Sequence, residues 1–132
     1  METKKIKQVV TFKASPKEVY ELIMDEKKHG KFTGQKAKIS RKINGKFNVM
    51  GGYCTGHNIE LIEGKRIKQA WHFSEDGWPA DHFSICTFNF DKVPGGTRMT
   101  FTQSDVPEHD FESLKDGWKK YYWEPMKNLL KK

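Results

Sequence analysis

The chain has few of the features that would commit it to a particular chemistry. Its 132 residues include only two cysteines, Cys54 and Cys86. Both fall on segments that read as strands, in no metal or redox spacing, which fits reduced thiols in a cytoplasmic protein. No apolar run approaches the roughly 20 residues of a membrane span, so no membrane partner is expected. The opening METKKIKQ carries charge without an apolar stretch behind it, so it does not read as a secretory signal. None of the five histidines stands in an H-x-x-x-H, H-E-x-x-H or clustered Cys/His spacing, and no metal or cofactor is expected. His29 and His109 read as lying in polar connections, His72 on a polar strand face, and His57 and His82 near strand starts. There is no G-x-S-x-G elbow, P-loop or dinucleotide fingerprint; GGYCTG is a glycine turn lacking the helix that a phosphate cradle needs. Asp81-His82 comes nearest to acid/base apparatus but reads as a polar loop end. No catalytic residue is expected, and the chain does not read as an enzyme. Repeats and linkers are also missing, so residues 1–132 read as one domain, long enough to bury a core without staples.

Charge is plentiful. A formal net charge of +7 raises the question of nucleic acid, but the lysines are scattered and no basic run is interleaved with exposed aromatics. A solvated basic surface follows, with no nucleic-acid partner and a field that favours an acidic protein partner.

The most patterned stretch is DFESLKDGWKKYYWEPMKNLLKK, from Asp110 to Lys132. At 100° per residue, Phe111, Leu114, Trp118, Tyr121, Tyr122, Pro125 and Leu129 fall within one stripe roughly 100° wide. Lys119, Lys120, Glu124 and Lys127 fall opposite. A long amphipathic helix with an aromatic buried face is expected, kinked near Tyr121 because Pro125 removes a hydrogen bond. Trp123 stands about 120° from the centre of the stripe, at its edge or outside.

The rest of the chain supplies the surface that such a helix needs. KKIKQVVTFK, residues 4–13, alternates as a strand with one wet side. Ser15, Pro16 and Glu18 form a capping box before a short helix to about Asp25, with Val19, Leu22 and Ile23 on its apolar side. EKKHGKFTG then reads as a helical turn and a loop, with Phe32 tucked inward. From Lys36 to Gln103 six strands are punctuated by Asn44-Gly45, Gly51-Gly52, Glu63-Gly64-Lys65, the loop SEDGWPAD and Pro94-Gly95-Gly96, an antiparallel meander.

Alternation assigns Phe47, Val49, Ile67, Gln69, Trp71, Phe73, Cys86, Phe88, Phe90, Met99 and Phe101 to the inward face. Lys68, His72, Thr87, Asn89, Arg98 and Thr100 face water. The fold class is therefore α+β: a curved antiparallel sheet of about seven strands wrapped around a long C-terminal helix, a helix grip. Between sheet and helix lies either a packed core or a pocket for a small apolar ligand. Its candidate lining is Phe47, Val49, Trp71, Phe73, Cys86, Phe88, Met99, Phe101, Trp118 and Tyr122. Trp78, in SEDGWPAD, and Trp123 read as surface aromatics of the kind that anchor interfaces.

The run from GHNIELIEGKRIKQAWHF through the WPADHF loop to TFTQSDVP, followed by DGWKKYYWEPMK, resembles the C-terminal domain of the activator of heat-shock protein 90 ATPase. That domain belongs to the START and Bet v 1-like helix-grip superfamily. The resemblance starts at TFKASPKEVYELI and covers nearly the whole chain. It implies a co-chaperone that binds a heat-shock protein 90-type chaperone, favouring its hydrolysis-competent dimer. By similarity the contacts are the WPADHF loop, with Trp78, Pro79 and His82, and the exposed side of the last helix at Trp123. The full activator carries a separate N-terminal domain that this sequence is not expected to contain, so at most weak ATPase stimulation is implied. The other implied reading is a small-ligand-binding or cyclase-like member of the superfamily.

Overall fold

The computed structural model describes residues 2–131. The chain opens with β1 (Thr3–Phe12) and turns into α1 (Pro16–Met24). The capping box forms as its residues require. Ser15 Oγ accepts from the Glu18 N–H at 3.2 Å, and Glu18 Oε1 accepts from the Ser15 N–H at 3.1 Å, which satisfies two otherwise orphaned amides. Asp25 ends α1 and starts the next helix, its carboxylate accepting from the N–H groups of Lys27 and Lys28 at 2.9 and 3.0 Å. EKKHGKFTG is thus more than a turn and a loop: it forms α2 (Glu26–Thr33), closed by Gly34 in the left-handed region at φ 71°. Phe32 is buried as expected. His29, expected in a polar connection, is only 1% exposed.

Six further strands follow: β2 (Lys38–Ile39), β3 (Lys46–Val49), β4 (Cys54–Ile62), β5 (Arg66–Phe73), β6 (Ser84–Val93) and β7 (Gly96–Pro107). With β1 they form one seven-stranded antiparallel sheet in the order β1-β7-β6-β5-β4-β3-β2. The meander keeps consecutive strands adjacent, and β1 joins beside the last of them. Every residue assigned to the inward face is buried, and the six assigned to water are not. Asn44 does adopt a positive φ of 64°, but the loop it sits in is longer than a two-residue hairpin. β2 pairs with β3 through only Lys38↔Asn48 and Ile39↔Phe47. Residues 40–44 are held instead by Asn58, whose Nδ2 donates to the carbonyls of Ser40 and Lys42 at 2.7 and 2.9 Å. The Asn44 N–H in turn donates to the Asn58 carbonyl at 2.9 Å. On the outer side of β2, the Ile39 N–H donates to Glu26 Oε1 at 3.0 Å.

The last element lies in the concavity as three joined pieces: α3 (Phe111–Trp118), a π-helical turn (Lys119–Trp123) and α4 (Glu124–Leu130). The helix expected to run to Lys132 ends at Leu130; Lys132 lies outside the described residues. Pro125 explains the π turn. It has no N–H to offer the carbonyl four residues back, and its ring crowds that carbonyl at Tyr121. The backbone responds by closing an i→i−5 bond, from the Glu124 N–H to the Lys119 carbonyl. The kink expected near Tyr121 is realised as this wider turn.

The turn changes which aromatics face the sheet. Trp123, expected at the edge or outside, is buried at 3% exposure, whereas Tyr121, expected on the buried stripe, is 49% exposed. Wider turns advance each residue by a smaller angle, so one extra residue is taken up before Pro125 and the faces shift relative to the α-helical count.

Candidate functional site

Trp118 is the centre of the grip. Its ring lies 4.5 Å from Phe101, 4.8 Å from Tyr122 and 5.1 Å from Trp71, centroid to centroid. A buried indole needs a partner for its N–H, and glutamines supply three of them. Trp71 donates to Gln69 Oε1 at 2.9 Å, Trp118 to Gln103 Oε1 at 2.7 Å and Trp123 to Gln8 Oε1 at 2.6 Å. Gln103 passes the chain on to Ser84 Oγ at 2.8 Å. Gln8, Gln69 and Gln103 thus hold the three indoles in register.

Below the helix remains a cavity of about 100 Å³. Four of the ten expected lining residues, Trp71, Phe73, Trp118 and Tyr122, do line it. The other six, Phe47, Val49, Cys86, Phe88, Met99 and Phe101, lie outside its lining and pack as solid core. Sequence reasoning missed Met50, Tyr53, Cys54, Glu75, Ser113, Leu114, Gly117 and Tyr121 in the lining. Cys54 could have been found by continuing the alternation through the turn, because it pairs with inward-facing Val49. Met50 adopts the left-handed region at φ 55°, an uncommon conformation for a long side chain, directly before Gly51 at φ 67°. Burial pushes the Cys54 and Cys86 thiols up, so neither is a thiolate nucleophile at neutral pH.

Tyr53 and Tyr121, both exposed, stand at the rim of this cavity with half-buried Glu75. The Tyr53 hydroxyl donates to Glu75 Oε1. Burial first, then the Glu75 carboxylate, raises the Tyr53 pKa. The same two causes raise Asp110, which is 8% exposed. Asp110 Oδ2 lies 3.2 Å from His109 Nε2, an ion-pair distance without hydrogen-bond alignment. Deeper in, His29 bridges the helix pair to the grip. Its Nδ1 faces the Ile23 carbonyl at 2.9 Å and its Nε2 faces the Tyr122 hydroxyl at 2.7 Å. A carbonyl only accepts, so Nδ1 carries the proton and Tyr122 donates to Nε2. Burial holds the His29 pKa down at about 4. Among the described residues no three His, Cys, Asp or Glu side chains gather to hold a metal.

The WPADHF loop is tied down by its own histidine. Trp78 Nε1 and His72 Nδ1 both donate to the His82 carbonyl, at 2.9 and 3.0 Å. His82 Nε2 donates to the Asp105 carbonyl at 2.7 Å. Trp78 consequently folds inward against Phe73, 5.0 Å between centroids. Expected at the surface, it is only 6% exposed. Of the four residues expected to meet a partner, Pro79 is exposed and His82 half-buried, while Trp78 and Trp123 are core.

A family model described as "Activator of Hsp90 ATPase homolog 1-like protein" matches residues 13–131. The activator of 90 kDa heat shock protein ATPase homolog 1 of Mus musculus is 31% identical over 128 residues, covering 97% of this chain and 37% of the relative. The corresponding activator homolog of Dictyostelium discoideum is 28% identical, over 97% of this chain and 33% of its own length. The chain therefore spans little more than a third of the curated relatives it matches. In fold, it superposes on an HSP90 activator from Plasmodium falciparum with a TM-score of 0.86, at 20% identity over 96% of this chain and 95% of that one. The solution structure of the Aha1 dimer from Colwellia psychrerythraea gives a TM-score of 0.78, at 19% identity and 96% coverage of both. The model match across nearly the whole chain places it in a family: this chain belongs to the activator of Hsp90 ATPase homolog 1-like proteins.

Proposed function

We propose that this chain is a non-enzymatic, co-chaperone-like domain that engages a heat-shock protein 90-type chaperone in the cytoplasm. The observation that carries this reading is the family match over residues 13–131. The described side chains are consistent with it: both thiols are held protonated, and the polar groups of the interior are spent on indoles and loop carbonyls. The activity named for the curated relatives belongs to chains of which this one matches 37% or less. Binding with at most weak ATPase stimulation is therefore proposed for this part alone. The contact surface proposed is the WPADHF loop at Pro79 and His82, together with Tyr121, which replaces Trp123 as the accessible aromatic of the last helix.

The test is titration of the purified chain into the chaperone from the same source, reading both association and ATP turnover. Saturable association in the micromolar range supports the proposal; its absence, or a source that encodes no such chaperone, overturns it.

The second reading, binding of a small apolar ligand, is the weaker one: the family match does not favour it, and the cavity is its sole support. The cavity's volume of about 100 Å³ restricts that ligand to a few heavy atoms. Ligand-induced shifts at the Trp71 and Trp118 indole N–H resonances on adding benzene would support it.

A further inference from the structure

Among the described residues β1 pairs with β7 and with no other strand, so one side of its backbone offers N–H and C=O groups to a further strand. Along that side runs a surface channel in two neighbouring parts, of about 450 and about 270 Å³, whose linings share Thr11 and Lys127. On the strand it is bordered by four consecutive residues, Gln8, Val9, Val10 and Thr11. Successive residues of a strand point to opposite faces, so a channel touching all four must follow the edge itself. Its opposite wall is the last helix at Lys119, Trp123 and Lys127, with Lys131 just past the helix end. The two walls match in length. Gln8 to Lys13 at about 3.4 Å per residue spans about 17 Å, and Lys119 to Lys131 at about 1.5 Å per residue spans about 18 Å. An edge strand facing a helix across such a gap is the geometry that accepts a peptide as an added strand.

The charge of the walls selects the occupant. Lys13, Lys119, Lys127 and Lys131 are all exposed, and none makes an ion pair among the described residues. Glu124 is the one acid bordering the channel. Val9, 56% exposed, adds an apolar foothold. A second copy of the chain fits poorly, because pairing two β1 edges would set Lys4, Lys5 and Lys7 against the same lysines. Lysine on an open edge discourages indiscriminate pairing, and the same charges favour a strand that carries carboxylates.

We propose that the channel between β1 and the last helix docks an extended, acidic peptide segment, which adds to the sheet as an eighth strand. This does not rest on the chaperone reading; either stands if the other falls.

The probe is a fluorescein-labelled peptide of about eight residues alternating glutamate and valine. Its comparators replace glutamate by lysine, or N-methylate alternate backbone nitrogens in each of the two registers. Anisotropy titrations should show saturable binding of the acidic peptide, weakened by salt. The lysine peptide and one N-methylated register should bind about tenfold more weakly or not at all. The double variant Lys119→Glu/Lys127→Glu should lose about tenfold, with its fold checked by circular dichroism because both side chains are exposed. Amide shifts should be confined to residues 3–13 and 119–131. Equal binding of all the peptides, shifts centred elsewhere, or sedimentation showing β1 already occupied by a second copy would overturn the proposal.

Discussion

Trp123 lies stacked on Trp118, five residues earlier, with ring centroids 5.4 Å apart and planes 16° apart. In an uninterrupted α-helix two such residues stand about 140° apart and cannot stack. The π turn before Pro125 brings them onto one side and sends Tyr121 out, so the two aromatics exchange the roles that a regular helix would give them.

The first prediction concerns that exchange. Trp123→Ala should lower stability by about 3–5 kcal/mol, the range for truncating a buried aromatic, because it also strands Gln8 Oε1. Tyr121→Ala should stay within about 0.5 kcal/mol, as befits an exposed side chain. Urea unfolding of both variants decides the matter, and a larger loss at Tyr121 would contradict the helix geometry. Chaperone binding should respond in the opposite sense, falling for Tyr121→Ala while the fold is intact.

Much of this fold was legible in the residues themselves. The capping box, the inward faces of four strands, the outward faces of three and the meander follow from short-range chemistry, and each formed. The departures have separate physical causes. The stripe of the last helix assumes 3.6 residues per turn, a period that a single proline makes wrong for five residues. His29 looked like loop chemistry because its partner Tyr122 lies 93 positions away. Trp78 looked exposed because nothing local shows that the His82 carbonyl turns back to receive its N–H. The cavity was legible only in part, since which aromatics leave a gap depends on how the packed ones interlock.

The glutamine locks give a second prediction. Gln103→Leu keeps the volume but leaves the Trp118 N–H without its acceptor, at a cost of about 1–3 kcal/mol. Removing the donor as well, as Trp118→Phe in the same chain, should cost less than the two single changes added together. A double-mutant cycle by chemical denaturation measures the coupling, and strict additivity would show that the bond contributes nothing.

His29 predicts a pH dependence. Its folded pKa of about 4 lies below its ordinary value of 6.5, so the unfolded chain binds the extra proton more readily. Stability associated with this group is fully present above pH 6.5 and falls away as the pH drops toward 4. The difference in pKa corresponds to about 3 kcal/mol. His29→Gln should flatten the stability curve in that window. An unchanged slope in the variant would assign the acid sensitivity to other groups.

Glu75 and Asp110 predict a change of the other sign. Asp110 is held above the usual carboxylate range by burial and by Glu75, so its contribution is present at low pH and is lost as the pH rises through its folded pKa. Glu75→Gln removes one of the two causes. The Asp110 carboxyl resonance in an NMR titration should then move to lower pH, and the variant should lose less stability on going to neutral pH. A titration that stays in place would exclude contact between the two carboxyls.

The short strand β2 has a consequence for assembly. Its outer amide is taken by Glu26, and the segment beyond it is committed to Asn58. A sheet that polymerises by setting the first strand of one copy on the last strand of the next needs both of those borders open, and β2 is already occupied. Head-to-tail stacking of β1 on β2 is therefore blocked at its receiving end.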